Sequence, residues 1–147
     1  YAKEDPMNEK RMSDEKFHKY FLTFVGISYV VAGVPHFTSP EFYLPMMPPY
    51  LPAHMELIYI SGFFEVVGGI GMLIPKLRRY AAWGLLALLV AVFPANLHLV
   101  LHDVQLTDAP NNTVLMWVRL PFQAVFMYMV WWSGLKEHDW QKQNKAS

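Results

Sequence analysis

Four apolar runs organise the chain: Tyr20–Ser39, Leu57–Pro75, Tyr80–Leu101 and Thr113–Leu135. Each is about as long as a helix must be to cross a bilayer core of roughly 30 Å. The first and third contain no Asp, Glu, Lys or Arg, the second only Glu65 and the fourth only Arg119. A water-soluble domain would interrupt such runs with charges on a solvent face. The pattern predicts an all-α polytopic membrane protein, a four-helix bundle with spans of about 20–36, 55–75, 79–102 and 113–135. Charged tails over 1–19 and 136–147 flank this domain of residues 20–135.

Eleven of the twelve Lys and Arg residues fall in the first 19 residues, in Lys76–Arg79 or in the last 12, whereas 36–56 and 102–112 have none. With four spans, the basic segments share one side and the bare loops the other. The positive-inside rule then places both termini in the cytoplasm and the protein in the cytoplasmic (inner) membrane. Glu41, Glu56, Asp103 and Asp108 gather on the outer side, with His36, His54 and His102. Residues 1–6 lack the basic and apolar regions of a signal peptide and read as a candidate non-native leader, with Met7 or Met12 as the start.

The outer loop 35–54 carries six prolines between 35 and 52, among Phe37, Phe42, Tyr43 and Tyr50. That density forbids a regular helix. It predicts either aromatic anchoring in the membrane interface or a lid over an outward-opening pocket. The short turn after the second run predicts an antiparallel hairpin of the second and third spans.

Counting 1.5 Å per residue, Glu65 sits near mid-membrane, and Arg119 and Gln123 share a face of the fourth span at overlapping depth. Asn96 lies in the outer third of the third span, and His36 closes the first. A charge at bilayer depth costs about 2.5–3.5 kcal/mol on insertion scales, so Glu65 and Arg119 should face protein and each other. Pro94 and Pro121 leave the carbonyls of Val90 and Trp117 without their helical donors, and Asn96, Arg119 or Gln123 could supply them. Such a buried set can merely hold helix register or can form a ligand pocket. Ser61, Gly62, Gly68 and Gly69 flank Glu65 and permit close helix approach.

His98 and His102 stand one turn apart, a spacing that can hold a metal. Yet His98 lies about 200° around the helix from Asn96, so these histidines read first as surface groups. Metal is expected to be absent, and haem is disfavoured. Neutral net charge and the lack of a basic stripe give no sign of a nucleic-acid partner. With no cysteine in the chain, thiol–disulfide exchange and thiolate metal sites are excluded, so electrons would have to travel on a borrowed carrier. Gly68-Gly-Ile-Gly71 lies inside an apolar helix and lacks the strand–helix setting of a nucleotide loop.

Gly33-Val-Pro-His36-Phe37, Met47-Pro-Pro-Tyr-Leu-Pro52, Gly62-Phe-Phe-Glu65, Leu73-Ile-Pro75, Phe93-Pro-Ala-Asn96 and Arg119-Leu-Pro-Phe-Gln123 occur in this order. Together they resemble the DoxX/DoxX-like family of small four-helix membrane proteins. The resemblance covers about residues 20–133 and implies motif positions at His36, Glu65, Asn96, Arg119 and Gln123. It also implies a bacterial cytoplasmic-membrane setting. Relatives are linked to quinone-dependent oxidation of sulfur compounds, to oxidative-stress complexes or to assembly of partner proteins. The absence of Cys departs from thiol-linked redox relatives.

The leading expectation is a site for a lipophilic small molecule, foremost an isoprenoid quinone. Arg119, Gln123 and Asn96 would hold its oxygens, Tyr43 and Tyr50 would contact it from the loop, and Glu65 and His36 would exchange protons. The chain would serve as an oxidoreductase or as the membrane subunit of one. The alternative is a scaffold or assembly factor, with small faces at Gly26/Gly33 and Gly62/Gly69 marking interfaces to a second copy or a partner membrane protein. A small oligomeric transporter ranks third.

Overall fold

A computed structural model describes residues 6–102, 104 and 112–136. The expectations on Asp103, Asp108 and most of the C-terminal tail lie outside them. The described residues are helical, without a strand: α1 (Pro6–Gly33), α2 (Pro35–Thr38), α3 (His54–Leu73), α4 (Arg78–Leu101) and α5 (Asn112–Trp131). A π-helical turn, Trp132–Lys136, prolongs α5. Among the described residues three stretches are long and apolar enough to cross a membrane: Pro6–Thr38, His54–Leu73 and Arg78–Leu101. Many large apolar side chains, Phe24, Phe63, Phe64, Trp83, Trp117 and Phe122 among them, face outward. The protein is therefore a multi-pass membrane protein, with lipid covering those side chains.

α1 starts well before its apolar run. Residues 6–19 are helical because Pro6 opens the helix at a position that needs no N–H, and Glu, Lys, Met and Arg after it are good helix formers. The first charged segment is thus largely helix, and only residues 1–5 lie outside the description.

α1 and α3 meet backbone to backbone. A Cβ on Gly26 would lie 2.9 Å from the Gly69 carbonyl, and one on Gly69 would lie 2.6 Å from the Gly26 carbonyl. Two turns along, Gly33 and Gly62 repeat the relation at 2.8 and 3.0 Å. The two pairs run antiparallel: seven residues forward along α1 correspond to seven residues back along α3. These small faces are thereby buried against each other within the chain. The other face of α3 takes α4: Gly68 admits Leu85, and Gly71 admits Ala81. The link 74–77 makes α3 and α4 the short antiparallel hairpin that the sequence predicts.

α4 packs on α5, and the core of Leu22, Val25, Tyr29, Met72, Ala82, Leu85 and Val130 closes the assembly. At one end Trp132 meets His18 and Phe21 of α1 at ring-centroid distances of 5.3 and 5.0 Å. At the other end the proline loop forms two 3-10 turns, Pro40–Phe42 and Leu44–Met46. The inner side of the loop buries Pro40, Met46 and Pro48, while Phe42 and Tyr50 face out. The loop thus packs over this end of the helices and presents aromatic rings outward. Ala53 enters α3 at φ 53°, a left-handed conformation that glycine would hold with less strain.

Candidate functional site

Beneath the loop lies a cavity of about 290 Å³. His36, Tyr43, Glu65, Asn96, Arg119 and Gln123 line it, so six of the seven residues assigned to the site from sequence converge. They come from α2, the loop, α3, α4 and α5, and most of the remaining wall is apolar. Tyr50 is the exception. Its ring is 72 % exposed and outside the lining, because the turns at 40–46 direct Tyr43 inward and leave Tyr50 beyond the fold-back.

Glu65 and Arg119 do not pair with each other. The Glu65 carboxylate instead lies beside His36, with 3.6 Å between Oε2 and Nδ1. Helix α2 makes this possible by turning the chain directly after α1, and Gly62, which has no side chain, leaves room for the Cβ of His36. His36 Nδ1 is also 3.2 Å from the Ala32 carbonyl, to which a protonated Nδ1 donates. The His36 ring stacks on Tyr43 at 4.0 Å and 19°. Glu65 Oε2 is buried and has no hydrogen bond among the described residues.

Arg119 reaches a softer partner, its Nη1 donating to Met46 Sδ over 3.3 Å. A thioether is a weak acceptor, so the remaining guanidinium donors are the principal cationic feature of the cavity. The carboxylate lies on α3 and the guanidinium on α5, and the cavity wall includes both. Burial pushes the Tyr43 hydroxyl above its ordinary range; the Glu65 charge adds to this and Arg119 opposes it. The phenol is therefore a protonated donor at neutral pH.

Asn96 and Gln123 hold each other. Asn96 Nδ2 donates to Gln123 Oε1 at 3.1 Å, and Gln123 Nε2 donates to the Leu89 carbonyl. That carbonyl adjoins Val90, the residue whose helical donor Pro94 removes. Both side chains tie α4 to α5 and border the cavity, and each amide keeps a second N–H beyond these bonds. Of the titratable lining groups, Arg119 is left with the most unused donor capacity.

His98 and His102 stack on each other at 4.2 Å and lie outside the lining. Among the described residues no group of three or more His, Cys, Asp or Glu could hold a metal ion. Sequence reasoning missed Met46 as the partner of Arg119. It also missed Phe122 and Phe126, which follow Arg119 at helical spacing and form part of the apolar wall; that spacing was the available signal.

A family model described as a domain of unknown function (DUF8561) matches residues 25–134. The chain belongs to the DUF8561 family. The DUF8561 match spans every lining residue of the cavity, from His36 to Phe126. No curated protein and no solved structure matches the chain.

Proposed function

We propose that this DUF8561 protein binds a lipophilic small molecule with a carbonyl-bearing ring, foremost a quinone, and serves a membrane redox process. α5 acts as a fourth span, giving a four-helix bundle with both termini on the cytoplasmic side, as the basic segments favour. The inner membrane of a bacterium is the setting implied by the DoxX-like landmarks. The observation that carries the reading is one cavity in which Arg119 and Tyr43 offer donors and Glu65 with His36 offers a proton-accepting pair, between apolar walls. Such a mixture, apolar with a few convergent polar groups, is what small-molecule sites have in common. At about 290 Å³ the cavity is at the small end of the usual range, suited to a ring headgroup whose tail runs out into lipid.

Arg119 would polarise one ring oxygen. Glu65 and His36 would take the protons released when a quinol is oxidised, and a redox partner protein would take the electrons. Buried ionisable groups in a membrane domain mark such pathways. The test is to isolate the protein in native lipid without detergent and extract it for mass spectrometry of bound lipophiles. A stoichiometric quinone, lost in Arg119→Leu and retained in Tyr50→Leu, is the expected result. Bulk lipid alone in the wild-type extract would sink the quinone reading.

A further inference from the structure

A second cavity lies at the opposite end of the helices, between α1 and the 74–78 turn. It measures about 530 Å³ and is lined by Glu15, His18, Lys19, Leu22, Thr23, Leu73, Pro75 and Arg78. We propose that this cavity binds the phosphate headgroup of an anionic membrane lipid. The inference does not depend on the quinone reading.

Its chemistry begins with Arg78. Its Nε donates to the Met72 carbonyl over 3.0 Å, satisfying a terminal carbonyl of α3 and fixing the guanidinium. Among the described residues Arg78 forms no ion pair, so its Nη donors are available to a planar, bidentate acceptor such as phosphate. Lys19 adds a second cation from α1, where its backbone carbonyl accepts the Thr23 hydroxyl at 2.8 Å. The buried His18 ring forms another part of the wall. Glu15 is the opposing charge, an exposed side chain one turn from Lys19.

Two observations place a lipid here. Tyr20 and Tyr80, beside Lys19 and Arg78 in sequence, are 74 % and 77 % exposed, and outward tyrosines mark the headgroup level. Leu22 and Leu73 line the same cavity on the side toward the apolar runs, where an acyl chain would continue. Basic pockets between transmembrane helices are a known way of recognising anionic headgroups.

The full chain in a non-ionic detergent would be titrated with short-chain phosphatidylglycerol and, in parallel, with the matching phosphatidylcholine and with inorganic phosphate. The expected result is saturable binding of phosphatidylglycerol alone, read by native mass spectrometry or thermal shift. Lys19→Gln and Arg78→Gln should each weaken it about fivefold, and Glu15→Gln should strengthen it. Lys19 is exposed, so its replacement leaves the fold intact and keeps the test decisive. Equal binding of phosphatidylcholine, or unchanged affinity in Lys19→Gln, would overturn the site. Saturation by inorganic phosphate at the same concentration would overturn the lipid as its occupant.

Discussion

The α1–α3 contact and the α4–α5 contact solve helix packing in opposite ways. In the first, paired glycines bring backbone against backbone, and carbonyls stand where Cβ atoms would be. In the second, Asn96 and Gln123 bridge the helices, Pro94 and Pro121 interrupt their ladders, and a cavity remains beside them. Lipid supplies little hydrophobic drive for helices to associate, so close packing and interhelical hydrogen bonds must do it. The glycine seam uses close packing and leaves no space. The polar bridge uses directed bonds and leaves space, and that is the half on which a site can be built.

The seam should be the harder half to perturb without unfolding. Gly69→Leu would drive a side chain into the Gly26 carbonyl and the Val30 side chain, and backbone cannot step aside cheaply. The expected cost is at the upper end of overpacking, about 3 kcal/mol or more, read as loss of the folded monomer in detergent. A variant of normal thermal stability would show that α1 and α3 do not cross there.

A smaller effect should follow in the polar half. Gln123→Leu leaves the Asn96 amide and the Leu89 carbonyl without their partners, at a cost of about 1–2 kcal/mol. Adding Asn96→Leu should cost less than the sum of the two single changes, because one bond is removed twice. Additive losses in thermal stability would mean that the two amides act separately.

The two halves were unequally legible in the sequence. Polar residues in apolar runs announce themselves, and depth counting brought Glu65, Asn96, Arg119 and Gln123 to one level. Their pairing was not legible, because the nearest opposite charge is an obvious guess. It fails here because α2 inserts His36 beside Glu65, and a thioether inside a proline loop gives no sign of taking Arg119. Tyr43 and Tyr50 are equivalent by composition, and only the fold-back at 40–46 separates inside from outside. The glycines were visible as small faces, but a residue without a side chain carries no mark of its partner. Their mutual contact needed the crossing itself.

The charged groups test that distinction at a still smaller scale. Glu65 and His36 are in contact, so a double-mutant cycle between Glu65→Gln and His36→Gln should yield a coupling of about 0.5 kcal/mol or more. The same cycle between Glu65→Gln and Arg119→Gln should give the smaller coupling, since those two side chains share no hydrogen bond. The reverse order of the two couplings would restore a direct Glu65–Arg119 pair.

The smallest effect is expected at Gly84, which separates a glycine used for packing from one that is not. A Cβ there meets nothing within 4 Å, and its face of α4 is exposed beside Trp83. In an isolated chain, Gly84→Ala should be neutral or stabilising by up to about 1 kcal/mol, since it removes glycine's entropic disadvantage in a helix interior. Gly84→Leu should likewise leave thermal stability unchanged. A seam with another molecule would behave differently, because the bulk of leucine would enter it as Gly69→Leu enters α1. Comparing the native mass of wild type and Gly84→Leu in mild detergent decides between these. Equal masses leave the glycine seam as an internal device of α1 and α3, whereas a lost oligomer would give the face around Gly84 the partner that the scaffold reading requires.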